Sequence, residues 1–292
     1  MAHWTWAEGR GVIGVGGAEA EAFLQGLVSN DVSKAGPETA VYAALLTPQG
    51  KFLHDFFVLH RDGRFLLECD SERRADLLQR LKRYKLRSKV DLTDEVEDWR
   101  VALVWGEGAE AAAKQGWGEG AVAFADPRLP ALGMRVFVPA DDAAEPAGLE
   151  KGSREAYDRH RIALGVPVPP EELQIERSFL MESGFEELNG IDWQKGCYVG
   201  QEVTARTKYR GLMRRRLTPV AIAGGAPAED GKIMQDGRDV GDLRSRQDGV
   251  GLAMLKLEAL DGEAPLTCGD AVLTPSRPDW WLNAPAAESA AE

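Results

Sequence analysis

The sequence predicts an α+β protein with a small all-β module near its C-terminal end. Two textures point there. Over roughly the first 165 residues, strand patterns group around a few helical ones, as in an α+β layer protein. After Leu217 the helical periods stop, and short apolar runs alternate with Gly- and Asp-rich turns, the pattern of a small β-barrel. The size agrees. A chain of 292 residues suggests about two domains, and 44% hydrophobic with 28% charged residues is an ordinary balance for sizeable buried cores.

Residues 12–15 read as a short strand, and 18–28 as a helix with Phe23, Leu24, Leu27 and Val28 on one face. The stretch Gly9-Arg10-Gly11-Val12-Ile13-Gly14 matches G-x-G-x-x-G. No strand precedes it and it does not itself open the helix, so a dinucleotide loop is not indicated. Residues 41–46 form a strand pattern and Thr47-Pro48-Gln49-Gly50 a turn. Residues 51–60 and 64–69 are strands joined through Asp62-Gly63, a strong hairpin signal. A helix spans 73–85, with Leu77, Leu78, Leu81 and Tyr84 at helical spacing. Strands follow at 90–92, 99–105 and 134–138. The Ala-, Asp- and Pro-rich stretch 141–148 reads as a linker. Ser153 is placed to cap a helix running to 164, with Tyr157, Arg161 and Leu164 on one side, and Gly165-Val166-Pro167-Val168-Pro169-Pro170 stops it. An irregular stretch follows, and then the late apolar runs at 217–222, 250–257 and 271–273. The Ala/Glu tail at 284–292 is expected to be disordered.

Composition excludes several classes. The formal net charge of −12 argues against a general binder of phosphate backbones, so nucleic acid is an unexpected partner. No apolar run approaches the roughly 20 residues of a membrane span. The N-terminus lacks the basic head and apolar segment of a secretory signal. Cys69, Cys197 and Cys268 are far apart and odd in number, which fits a reducing compartment, and a cytoplasmic location is expected. Three scattered thiols fall short of the roughly four cysteine ligands of an iron–sulfur cluster. The four histidines, His3, His54, His60 and His160, lack the paired spacing of a zinc site, so no resident metal is expected.

The most informative segment is Lys195-Gly196-Cys197-Tyr198-Val199-Gly200-Gln201-Glu202. It sets one thiol near an ammonium group, which favours thiolate, and between two glycines, which let a backbone or ligand approach the sulfur. A buried Cys in a tight turn is the plain alternative; the density of Lys, Cys, Gln and Glu favours a reactive role. No histidine lies close in sequence to serve as base, so ordinary Cys-hydrolase chemistry is poorly supported. Cys69 falls in an apolar strand pattern and reads as core. A basic run follows the octapeptide: Arg206, Lys208, Arg210, Arg214, Arg215 and Arg216, with no acid between Val203 and Leu217. It is either a solvated face or a site for a small polyanion. His54-Asp55 sits in a strand pattern, where neighbours point to opposite faces; the pair is either a proton-exchanging site or two exposed residues of an edge strand. Asp126-Pro127-Arg128, followed by Arg135, is either a carboxylate-binding fork or a surface ion pair.

Taken together these segments resemble the YgfZ family, folate-binding relatives of the glycine-cleavage T-protein whose mitochondrial counterparts act in iron–sulfur protein maturation. The octapeptide is the specific signature. Weaker likenesses lie in Phe23-Leu24-Gln25-Gly26-Leu27-Val28-Ser29-Asn30-Asp31-Val32, Thr47-Pro48-Gln49-Gly50-Lys51, Lys85-Leu86-Arg87-Ser88-Lys89-Val90 and Asp126-Pro127-Arg128. The resemblance implies a T-protein-like three-domain ring around a central folate-sized cavity. Residues 1–45 and 145–212 would form a discontinuous first domain carrying the Cys motif, 46–144 an α+β second, and 213–283 the barrel. Cys197 falls on the family's functional thiol. Asn30, Arg161, Glu182 and Gln201 fall near positions lining the cavity. Two departures stand out. The T-protein has an acidic pair where His54-Asp55 stands, and a Gly-Tyr-Thr-Gly-Glu-Asp-Gly stretch whose Glu grips the pterin, where this chain has Arg128-Leu129-Pro130-Ala131-Leu132-Gly133. Both weigh against aminomethyl transfer, which needs a group handling a proton at the folate nitrogen.

The expected function is therefore that of a tetrahydrofolate-binding accessory factor for assembly or repair of iron–sulfur clusters in client proteins. Cys197 and Lys195 would serve chemistry, and Asn30, Asp55, Arg161, Glu182, Gln201 and Arg206 would serve folate. Two other readings are a folate-dependent one-carbon transferase and a non-catalytic RNA- or protein-binding module.

Overall fold

A computed structural model describes residues 1–211 and 213–282; the tail expected at 284–292 lies outside the described residues. Along the chain come β1 (Ala2–Trp6), β2 (Arg10–Gly16), α1 (Ala20–Gln25), β3 (Val41–Leu46), β4 (Phe52–Arg61), β5 (Arg64–Asp70) and α2 (Arg74–Lys85). Next are β6 (Asp91–Asp94), β7 (Trp99–Gly106), α3 (Ala109–Gln115), β8 (Val122–Ala125), β9 (Met134–Pro139), β10 (Glu150–Lys151) and α4 (Arg154–Ala163). Then come α5 (Gln201–Tyr209), β11 (Arg215–Gly224), β12 (Lys232–Gln235), β13 (Arg238–Gln247), β14 (Val250–Lys256), β15 (Leu266–Cys268), β16 (Ala271–Pro275) and α6 (Asp279–Leu282). Two compact units form. Met1–Pro48, Leu53–Tyr157 and Asn189–Gln201 make the first; Gln49–Phe52, Asp158–Leu188 and the chain from Glu202 make the second.

The first unit holds two five-stranded sheets, ordered β10-β1-β7-β9-β8 and β3-β4-β5-β2-β6. In one, Trp4, Val104 and Val136 pack with Ala109 and Ala113 of α3. In the other, β4 and β5 form the expected hairpin. Asp62 and Gly63 adopt φ of 53° and 75°, the left-handed pair that a two-residue turn of matching twist requires. The strands of residues 1–45 complete these sheets: β1 pairs with β7, and β2 with β5 and β6. The domain boundary expected at 45/46 therefore runs through paired strands. Gly11 and Gly14 lie within β2, so the G-x-G-x-x-G match is strand, not phosphate loop.

In the second unit β11-β14-β13-β12-β15-β16 close into a six-stranded barrel around Val220, Ile233, Leu255, Leu266 and Leu273. Ser153 caps α4 as expected, its Oγ accepting from the Ala156 N–H at 3.1 Å. Two expectations change. The stretch 141–148 is no linker, because it lies inside the first unit, with Pro146 buried and the Ala147 N–H bonded to the Gly116 carbonyl. Tyr84 is 41% exposed rather than part of the packed face of α2. β1, β8, α3 and α5 were not legible, being short and, for β1, paired to a strand more than ninety residues away.

Between the two sheets of the first unit lies a buried charge network. Glu68 on β5 is fully buried and accepts from Arg10 of β2 at 2.9 Å and from Arg135 of β9 at 2.8 Å. Arg135 also reaches Asp126, which holds Arg128 through two bonds of 2.8 and 2.9 Å. The guanidiniums of Arg135 and Arg128 lie 4.1 and 4.9 Å from the centre of the Phe57 ring. Burial opposes the ionised form of Glu68, but Arg135 and Arg10 outweigh it and hold its carboxyl below the usual range. Asp126, Arg128 and Arg135, read as either a carboxylate-binding fork or a surface ion pair, are thus a core element in which the arginines hold the protein's own buried carboxylates.

Removing one member leaves an uncompensated buried charge, at a cost of about 3–5 kcal/mol. Glu68→Gln should lose that much in guanidinium denaturation, and pairing it with Arg135→Met should recover most of it.

His54 and Asp55 are both buried, on a central strand. They point to opposite faces, His54 donating from Nε2 to Asp76 of α2 at 2.9 Å and Asp55 meeting Tyr42. Burial, reinforced by Arg73, pulls His54 down to about 4, so the folded protein holds it neutral. Above pH 6.5 folded and unfolded chains agree in protonation. Below it the unfolded state gains a proton that the folded state refuses, and stability should fall by about 1.4 kcal/mol per unit until about pH 4. His54→Gln should flatten the dependence of the denaturation midpoint across that window.

Candidate functional site

The octapeptide loop is held against the start of the chain. Ser29 Oγ donates to the Gly190 carbonyl at 2.6 Å, and the Asp192 N–H returns to the Ser29 carbonyl. Asp192 then turns the chain: its Oδ1 accepts from the N–H groups of Gln194 and Lys195, and its Oδ2 pairs with Lys34. Lys195 completes the anchor. Its ammonium is half-buried and donates to the carbonyls of Gln25, Val28 and Asn30 at 3.1, 2.6 and 2.8 Å. Burial lowers its pKa to about 8, with Asp31 and Asp192 acting in the opposite sense.

The three donors of Lys195 are therefore spent on backbone, not on sulfur. Lys195 thereby anchors the loop that carries the thiol. Beyond the thiol, Tyr198 is buried and its N–H donates to Gln201 Oε1, while Gly200 at φ 84° lets the chain turn into α5. Between these two fixed points Cys197 is exposed. A Cβ at Gly196 would meet nothing within 4 Å, so the approach beside the sulfur is open. Cys69 and Cys268 are buried, and burial pushes the Cys69 thiol up to about 12.

Asn30 is equally committed. Its amide donates to the carbonyls of Tyr42 and Asn189 at 2.8 and 2.7 Å, and its Oδ1 accepts from the Asp31 N–H. It forms part of the wall of a cleft of about 460 Å³, together with Tyr42, Pro127, Asn189, Ile191 and Trp193, a size typical of small-molecule sites. The Tyr42 hydroxyl donates to Asp55 Oδ2 at 2.9 Å, and the Arg128 guanidinium lies 5.4 Å from the Tyr42 ring. Asp55 Oδ1 is buried with no hydrogen-bond partner among the described residues. An orphaned buried acceptor is costly unless a ligand donor meets it.

Three expected site residues belong to the second unit. Arg161 is buried and tied to Asp158, Glu172 and the Val166 carbonyl, so its charge is matched within the protein. Glu182, in the short helical turn Met181–Ser183, is half-buried; burial raises its pKa against the pull of Arg215, Lys51 and Arg244. Arg206 is exposed and paired with Glu202. Lys208 and Arg216 of the basic run pair with Glu186 and Glu187, so sequence overstated its free charge. Tyr42, Asp192 and Lys34 were missed. Only Asp192 left a signal, the Asp that turns the chain just before Lys195. Among the described residues no group of three His, Cys, Asp or Glu side chains is placed to hold a metal ion, and no helix is long and apolar enough to cross a membrane.

Comparison with known proteins follows the same lines. Residues 8–123 match the GCVT N-terminal domain and residues 214–283 the CAF17 C-terminal beta-barrel domain. The chain is 33% identical to the mitochondrial iron–sulfur cluster assembly factor IBA57 of Mus musculus, covering 96% of this chain and 86% of that protein. It is 33% identical to the Homo sapiens protein of the same name, over 95% and 86%, and 33% identical to the IBA57 homolog of Pyricularia oryzae, over 89% and 73%. The glycine cleavage system aminomethyltransferase T of Bartonella henselae superposes with a TM-score of 0.75 at 13% identity, covering 95% of this chain and 86% of that one. This likeness shows a GcvT-like fold with mixed sheets and the closed barrel. The matched relatives are mitochondrial proteins, which overturns the cytoplasmic placement read from the sequence.

The exposure pattern sets a thiol count. A small aromatic disulfide reagent should titrate one thiol per native chain, three in denaturant, and none in native Cys197→Ser.

Proposed function

The chain belongs to the IBA57 family of iron–sulfur cluster assembly factors, and we propose that it assists assembly or repair of clusters in client proteins through the Cys197 thiol and a bound tetrahydrofolate. The observation that carries the thiol part is an exposed sulfur on a loop fixed at both ends. A thiol can act as nucleophile, redox centre or transient ligand, and each role needs a sulfur that a partner protein can reach. The cluster is cargo in this reading, and client or assembly proteins are the partners. The octapeptide likeness to YgfZ proteins supports the same role.

Three features of the first unit suit a reduced pterin. The cleft beside Asn30 and Tyr42 has the volume of a small-molecule site. Asp55 Oδ1 is a buried acceptor without a hydrogen-bond partner among the described residues, suited to a ring N–H. Tyr42 borders the cleft and donates to the same carboxylate, which fixes its orientation. Tetrahydrofolate would supply a nitrogen able to carry a one-carbon unit; these residues would bind and orient it.

Asp55 also favours a second reading, a folate-dependent one-carbon transferase. His54, the partner of Asp55 where the T-protein has an acid, turns to the other face and is neutral, which weighs against it. Ammonia release from an aminomethyl-lipoyl carrier in the presence of tetrahydrofolate would favour the transferase. The RNA- or protein-binding reading loses support where Lys208 and Arg216 are matched by carboxylates.

In a strain lacking the family member, Cys197→Ala should fail to restore iron–sulfur enzyme activity, falling at least tenfold below wild type. Full rescue would overturn the thiol role. Tetrahydrofolate titration, followed by the fluorescence of the eight tryptophans, should saturate, and Asp55→Asn should bind about tenfold more weakly, the loss of about 1.4 kcal/mol expected for one buried hydrogen bond.

A further inference from the structure

The corner that follows α2 has no part in the site above, yet its physical character is unusual. Residues 82–89 read Lys-Arg-Tyr-Lys-Leu-Arg-Ser-Lys, five cations without an acid, on a chain of net charge −12. Arg80, one turn earlier, is matched by Asp76. Among the described residues, none of Lys82, Arg83, Lys85, Arg87 and Lys89 enters an ion pair. Glu19 accepts the Lys89 backbone N–H.

At the apex stands Leu86, 87% exposed, the most exposed large apolar residue of the described chain. Its backbone is at φ 46°, ψ −106°. That lies near the first central position of a II′ turn, a place that suits glycine and strains a branched side chain. The Ser88 N–H closes the turn on the Lys85 carbonyl at 2.8 Å. The corner is also rooted: the Lys89 carbonyl accepts from Glu19, and its oxygen lies 2.4 Å from where a Cβ on Gly17 would be, so only glycine fits there. Tyr84, 41% exposed, adds a second apolar surface beside the apex.

A leucine in water, on a backbone that favours glycine, gains nothing in the isolated chain. Strain of this kind concentrates where a segment contacts something else. We infer that residues 82–89 form a docking corner for an acidic protein partner, which receives Leu86 in an apolar socket ringed by carboxylates. Five unpaired cations speed and orient the encounter, and Leu86 supplies the desolvated contact that a charge pair at a rim does not. The small apex favours a protein over a membrane surface: one leucine and one tyrosine offer little insertion, whereas a socket reads both shape and charge.

The experiment places a photo-crosslinking phenylalanine analogue at position 86 of the full chain in cells and identifies the adduct by mass spectrometry. The identified partner is then purified and titrated against wild type, Leu86→Gly and Lys82→Glu/Arg83→Glu. The expected adduct is one acidic protein. Leu86→Gly should weaken its binding tenfold or more while melting at a higher temperature than wild type, because glycine relieves the turn. The double charge variant should also bind at least tenfold more weakly, and wild-type affinity should fall with salt. Adducts confined to nucleic acid or lipid, the absence of any adduct, or unchanged affinity of Leu86→Gly for the partner would each overturn the proposal. Loss of cluster-enzyme rescue by Cys197→Ala is read separately and leaves this outcome untouched.

Discussion

One buried carboxylate organises the first unit. Glu68 pairs with both Arg10 and Arg135 where the two sheets meet, and Arg135 passes the constraint to Asp126 and Arg128. Four buried charges and the partly buried Arg10 are thereby held at fixed separations. A network of this kind adds little net stability over a well-packed apolar core, yet it tolerates few alternative registers of the strands that carry it. That restriction matters here because Arg128 lies against Tyr42, and Tyr42 sets Asp55. The orphaned acceptor oxygen is thus placed by the core, not by a mobile surface loop.

The same economy governs the thiol loop. Lys195 gives its charge to three carbonyls that the end of α1 and the following turn leave unsatisfied, so one side chain both caps that turn and ties residues 189–201 to it. Cys197 is left as the element of the loop not consumed in holding it. Its neighbours are ordered by bonds to backbone, and a partner approaching the sulfur has little loop entropy to remove. Sequence placed Lys195 and Cys197 together; it did not show the three carbonyls to which the lysine donates.

Legibility followed the range of the interactions. The β4–β5 hairpin, the span of α2 and the cap of α4 were readable because turn residues, helical period and capping Ser all act within a few positions. The barrel was readable from its repeated turns. β1 was not, since five residues around two tryptophans become a strand only when β7 supplies their partners. The sequence also left Asp126 and Arg135 open to a surface reading, because nothing local says that Glu68 will sit between Arg135 and Arg10. The octapeptide was conspicuous, whereas Tyr42 was an unremarkable aromatic in an apolar strand. Chemistry that depends on dense local composition shows in one dimension; a wall that depends on sheet order does not.

The chain path of the first unit has a temporal consequence. Its strands begin at Ala2, but β1 waits for β7, and the segment from Asn189 to Gln201 must return after Asp158–Leu188 has gone to the second unit. On a ribosome releasing residues in order, the sheets can close well before that return. The sulfur-bearing loop is then among the last pieces to settle, docking onto a platform already built. Until Lys195 reaches its three carbonyls that sulfur rides on an unanchored segment, so docking fixes its position rather than creating its exposure.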